Sequence, residues 1–133
     1  MAKTNILIVD DEQDIRESLK DILEDEGHNI FLAENAKVAS VIKDKESIEL
    51  ILLDIWMPDC DGITLLKQWS RANKINCPVL MMSGHGTIDT AIEATKIGAY
   101  NFLEKPISLQ KLLNAINSAL KKEIHVTKID QNF

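Results

Sequence analysis

The sequence predicts an α/β fold with helices covering both faces of a parallel sheet. Three observations carry this. Short apolar runs alternate strictly with stretches of helical period. There are five of each in 133 residues, a length suited to one domain. The strongest runs are continuously apolar, as strands buried on both faces must be.

Ile6-Leu7-Ile8-Val9 is the first run and stops at Asp10-Asp11. Ile15, Leu19, Ile22 and Leu23 then fall on one helical face, which Gly27 can terminate. Asn29 to Ala33 reads as a weaker strand. Asn35 can cap a helix carrying Val38, Val41 and Ile42. Leu50-Ile51-Leu52-Leu53 ends in Asp54, and Pro58 to Gly62 forms a turn. Ile63, Leu66 and Trp69 mark the third helix. Val79-Leu80-Met81-Met82 runs into Ser83-Gly84, and Ile88, Ala91, Ile92 and Thr95 give the fourth helix, stopped near Gly98. Tyr100 to Leu103 is the last strand, followed by Lys105-Pro106. Leu109, Leu112, Leu113, Ile116 and Leu120 form the final amphipathic helix. After Lys122 the apolar period fades, so residues 123–133 read as a frayed tail or the start of a linker. Of the few topologies that parallel crossovers allow, the expected one is a flavodoxin-like doubly wound (βα)5 sheet of order 2-1-3-4-5.

That order makes a chemical prediction. Strands one, three, four and five become contiguous, so Asp10, Asp11, Asp54, Ser83 and Lys105 should converge at their carboxyl ends. Such sheets bind ligands in that crevice. Crowded carboxylates repel one another unless a cation joins them, and Mg²⁺ takes carboxylate oxygens while keeping positions for water and phosphate. A carboxylate is a competent nucleophile for phosphoryl transfer, a reaction that needs mostly positioning and charge neutralisation. The Lys105 ammonium and the Ser83 hydroxyl suit the phosphoryl oxygens. Taken singly, each residue has a plainer reading: acids at strand ends cap helices, Ser-Gly makes turns, and Lys-Pro says little. Their joint placement carries the inference.

Bulk properties exclude several classes. The net charge of −6 argues against a nucleic-acid-binding segment, which usually presents a basic face. The two cysteines, Cys60 and Cys77, lack metal-ligand spacing and suit a reducing compartment. No signal segment or membrane-length apolar run occurs, so a cytoplasmic location is expected.

With these residues in place, the chain over residues 4–122 resembles the receiver domain of two-component response regulators. The resemblance rests on Ile8-Val9-Asp10-Asp11-Glu12, Leu52-Leu53-Asp54-Ile55-Trp56-Met57-Pro58, Asp61-Gly62, Ser83-Gly84-His85-Gly86 and Leu103-Glu104-Lys105-Pro106. It implies that Asp54 is the phosphoacceptor. Mg²⁺ would then be held by Asp11, by Asp10 mainly through water, by Asp54 and by the backbone carbonyl of Trp56. Ser83 would be the conformational hydroxyl and Lys105 the phosphoryl grip. The resemblance makes Phe102 the switch aromatic, where many relatives carry Tyr. Tyr100 would share its face in a regular strand and could share the task. Trp56 is either a shield over the acyl phosphate or a surface aromatic, and His85 reads as a loop residue.

The finer match is to NtrX-like regulators of the nitrogen-regulation type, on Ile22-Leu23-Glu24-Asp25-Glu26-Gly27, Ser83-Gly84-His85-Gly86-Thr87-Ile88 and the stretch 98–106. The implied partners are a sensor histidine kinase and an output domain or second copy. The contact face would be the fourth helix, fifth strand and fifth helix, and the end of the sequence favours a receiver excised from a longer regulator over a stand-alone one. The expectation is a phosphoacceptor switch that controls an attached or partner output, in transcription regulation, and not a multiple-turnover enzyme; the alternative is a stand-alone receiver acting by protein–protein interaction in a phosphorelay. Three rivals fit less well. An Asp-nucleophile phosphatase would want an acid where Trp56 stands. A flavin carrier would not place three acids after strand one. A degenerate receiver would not keep the full site.

Overall fold

In a computed structural model the protein is described over residues 4–72, 74–84 and 88–132, the side chains of 88, 91 and 121–132 excepted. Five strands and five helices alternate: β1 Asn5–Val9, α1 Gln13–Asp25, β2 Asn29–Ala33, α2 Ala36–Lys45, β3 Leu50–Asp54, α3 Gly62–Arg71, β4 Val79–Ser83, α4 Ile88–Ile97, β5 Asn101–Glu104 and α5 Leu109–Asn132. The strands form one parallel sheet of order β2-β1-β3-β4-β5. This is the expected topology.

Strand alternation sorts the apolar side chains into two layers. Leu7, Val9, Ile51, Leu53, Val79 and Met81 pack against α2, α3 and α4 through Ala39, Leu66, Trp69 and Ala94. Ile6, Ile8, Leu50, Leu52, Leu80 and Met82 pack against α1 and α5 through Leu19, Leu23, Leu112 and Ile116. Both faces of the central strands are thereby removed from water, which explains their unbroken apolar runs.

Local signals set the helix ends. α1 stops where Gly27 adopts φ 93°. The amides of Gly27 and His28 then bond the carbonyls of Glu24 and Leu23, a turn that favours glycine. The Asn35 side chain accepts from the Val38 amide and starts α2. Asp61 does the same for α3 through Thr64.

The helical backbone of α5 continues to Asn132; Lys121, Lys122 and Glu123 are good helix formers. One expectation is corrected. Tyr100 does not share a face with Phe102. It precedes β5, its amide bonding the Val79 carbonyl, and packs with the α1/α5 layer. Phe102 packs with the α2/α3/α4 layer. The regular alternation that would align the two begins only at Asn101. No helix among the described residues is long and apolar enough to cross a membrane.

Candidate functional site

Among the described residues the buried polar ones are Asp10, Asp54 and Ser83, and all three sit at the carboxyl end of the sheet. Register explains their convergence. Val9 pairs with Leu53, Asp54 with Met82, and Ser83 with Glu104. Asp10 is therefore level with Asp54, and Lys105 emerges one step beyond Ser83. The Lys105 amide bonds the Ser83 carbonyl at 2.7 Å, and the Lys105–Pro106 peptide is cis.

Lys105 Nζ joins the site. It donates to Asp10 Oδ2 at 2.8 Å and to Asp54 Oδ1 at 3.1 Å. Asp10 Oδ1 accepts from the Glu12 amide at 2.9 Å. Both carboxylate oxygens of Asp10 are thus engaged. Asp54 is 3% exposed. Burial, then the neighbouring Asp10 charge, push its carboxyl up to about 6, while Lys105 pulls it down in part. Burial works against the charge on Lys105, but its hydrogen bond to Asp10 and the Asp54 charge outweigh this and hold its pKa above the ordinary lysine value.

The donor set fits a hard cation. Carboxylate oxygens of Asp10, Asp11 and Glu12 lie within 4.8 Å of one another, and repulsion from Asp10 and Asp11 reaches Asp54. A single ammonium cannot neutralise this many acids. Glu12 was not foreseen as part of the cluster; its place directly after the acid pair was the available signal. The Ser83 hydroxyl is fully buried and has no hydrogen-bond partner among the described residues. An unpaired buried hydroxyl is costly, so this donor fits an anion placed beside Asp54. Ser83 alternates onto the face of Met81 and Phe102. The Trp56 indole is 59% exposed. His85 lies outside the described residues.

Three other residues support the site. Gly62 donates its amide to the Ile55 carbonyl and packs on the backbone of Asp54. Asp59, in the loop after β3, accepts from the Ala36 and Lys37 amides of α2 at 3.1 and 3.2 Å. Partial desolvation of its carboxyl is outweighed by these donors, so its pKa sits below the usual carboxylate value. Arg16 Nη1 donates to the Asp10 backbone carbonyl at 2.6 Å.

Residues 6–117 match the family model described as response regulator receiver domain. The chain is 40% identical over 131 residues to a putative NtrX-like response regulator of Rickettsia bellii, covering 97% of this chain and 26% of that protein. It is 43% identical over 119 residues to the nitrogen assimilation regulatory protein NtrX of Azorhizobium caulinodans, covering 88% of this chain and 26% of that one. The crystal structure of NtrX from Brucella abortus in complex with ADP superposes with a TM-score of 0.88 at 36% identity, over 99% of this chain and 30% of that one. The chain thus spans about a quarter of the length of these curated relatives.

Proposed function

Since this chain belongs to the response regulator receiver domain family, we propose that it works as a phosphorylation switch with Asp54 as the acceptor. The observation that carries the reading is the pair of hydrogen bonds that Lys105 Nζ donates to Asp10 and Asp54, beside the Ser83 hydroxyl, which has no partner among the described residues.

Above pH ~6 Asp54 is a carboxylate. One oxygen attacks the phosphorus of a phosphorylated histidine on a sensor kinase. The phosphorus–nitrogen bond breaks, and its electron pair and a proton remain with the imidazole. Lys105 can transfer one of its hydrogen bonds from Asp54 to a phosphoryl oxygen without leaving Asp10. Ser83 gains an acceptor for its buried hydroxyl. Asp10, Asp11, Asp54 and the Trp56 carbonyl would hold Mg²⁺, which supplies charge neutralisation to the phosphoryl oxygens. The product is an acyl phosphate, so each transfer consumes one acceptor and the chain acts as a switch rather than a multiple-turnover enzyme.

The message leaves through Ser83. Its movement toward the phosphoryl group frees space on the face it shares with Phe102, and that aromatic alone can follow; Tyr100 packs on the other face. The surface of α4, β5 and α5 then changes its contact with an output domain or a second copy. The name of a further relative, the transcriptional regulatory protein FixJ of Bradyrhizobium diazoefficiens, 36% identical over 121 residues, supports a role in regulating transcription.

The test is incubation with acetyl phosphate and Mg²⁺ followed by intact mass. One added phosphoryl group, lost in Asp54→Ala, is expected. Modification that persists in Asp54→Ala would overturn the reading, as would none in the wild type.

A further inference from the structure

We propose that Arg16 is a positioning residue for the cation site: it fixes the peptide that aims Asp11. The inference rests on the reading above, that this site takes Mg²⁺.

β1 ends at Val9, so the Asp10 carbonyl lies beyond the sheet ladder. No backbone amide among the described residues bonds it. The guanidinium of Arg16 does, at 2.6 Å. This carbonyl belongs to the peptide joining Asp10 to Asp11, and rotating it swings the Asp11 side chain. Asp10 has other anchors. Its amide bonds the Ala33 carbonyl, and its carboxylate bonds Glu12 and Lys105. Asp11 has none of these. It is exposed, and among the described residues no hydrogen bond holds its carboxylate. Its direction is therefore set by backbone alone, and Arg16 is what holds that backbone.

The position of Arg16 is otherwise hard to explain. It lies one turn into α1 (its amide makes the Glu12 bond that opens the helix), where the helix dipole disfavours a cation. A side chain placed there for solubility would extend into water. Arg16 instead folds back, half-buried, over the strand end. A guanidinium suits this role because its planar fork loses little freedom per bond formed.

Charge and geometry make opposite predictions. If Arg16 acted only as a counter-charge to the acids, neutralising it would tighten cation binding. If it positions Asp11, neutralising it weakens binding, because groups that orient metal ligands are typically worth 10–100-fold in affinity. Mg²⁺ affinity is measured by calorimetry on the purified chain, with circular dichroism and metal-free melting temperature as controls. Arg16→Met is expected to weaken Mg²⁺ binding by about 10-fold, with Arg16→Lys in between. Affinity in Arg16→Met equal to or tighter than wild type overturns the proposal, even where the melting temperature falls. Should Arg16→Met not fold, Arg16→Lys decides: weaker binding than wild type supports the tether, and equal binding sinks it. Absence of Mg²⁺ binding in the wild type would instead strike the proposed function.

Discussion

Gly62 and the backbone of Asp54 are in direct contact: a Cβ on residue 62 would stand 2.3 Å from the Asp54 carbonyl oxygen. The Gly62 amide also donates to the Ile55 carbonyl at 2.6 Å. The first residue of α3 is therefore seated on the strand end that carries Asp54. Both partners are backbone and neither can yield cheaply. Gly62→Ala should cost roughly 1–3 kcal/mol in urea unfolding and slow phosphoryl incorporation by acetyl phosphate. Unchanged stability and rate would show that the strand end moves freely.

Asp54 should make stability fall with rising pH in metal-free buffer. Its folded pKa is about 6 against an ordinary 3.8. Between those values the native state keeps a proton that the unfolded chain has lost, so stability is full below pH ~4 and declines until pH ~6. Asp54→Asn cannot ionise and escapes this loss. Relative to wild type at pH 4, it should gain about 2–3 kcal/mol by pH 8. Parallel curves for the two proteins would refute this.

Removing the ammonium has the opposite sign. Lys105→Met leaves Asp10 and Asp54 buried without their shared cation. Breaking one side of a buried pair costs roughly 3–5 kcal/mol, and the loss here should be near the lower figure because Asp54 can take up a proton. Unfolding at pH 8 should show the full effect and at pH 5 much less. An equal loss at both values would assign it to packing instead.

The Asp59 carboxylate should behave as a second cap on α2. Asp59→Ala frees the Ala36 and Lys37 amides and is expected to cost about 1 kcal/mol. Because the donors hold the acid below its ordinary pKa, the stabilisation is present above the unfolded value and fades as pH falls through the folded one. Equal stability of Asp59→Ala and wild type at pH 7 would discard the cap.

The output face is expected to respond to a phosphoryl mimic. Beryllofluoride with Mg²⁺ should shift amide resonances around Phe102 and along the described parts of α4 and α5, and Phe102→Ala should confine the shifts to the crevice. Shifts confined to the crevice in the wild type would separate this domain's chemistry from its readout.

The sheet and the convergence of its polar strand ends were legible because both follow from period and position. Unbroken apolar runs such as Leu50–Leu53 imply burial on both faces, and a polar residue at the end of each run falls at one edge. What escaped the sequence depends on contacts between segments. The Asp59 bond to α2 spans 23 positions, and nothing in Pro58-Asp59-Cys60 marks it. The misplacement of Tyr100 has a different cause: extending β5 by one residue turned a change of layer into a false alternation. Arg16 left a trace, a cation near a helix start, that only the Asp10 carbonyl explains.

The Lys105 bond to Asp10 joins residues 95 positions apart, and this orders events during synthesis. A chain emerging from the ribosome carries Asp54 long before Lys105. Asp54 waits without the Lys105 ammonium until β5, which pairs with β4 at the edge of the sheet, has docked. On the proposed function, competence to accept a phosphoryl group therefore arrives with β5.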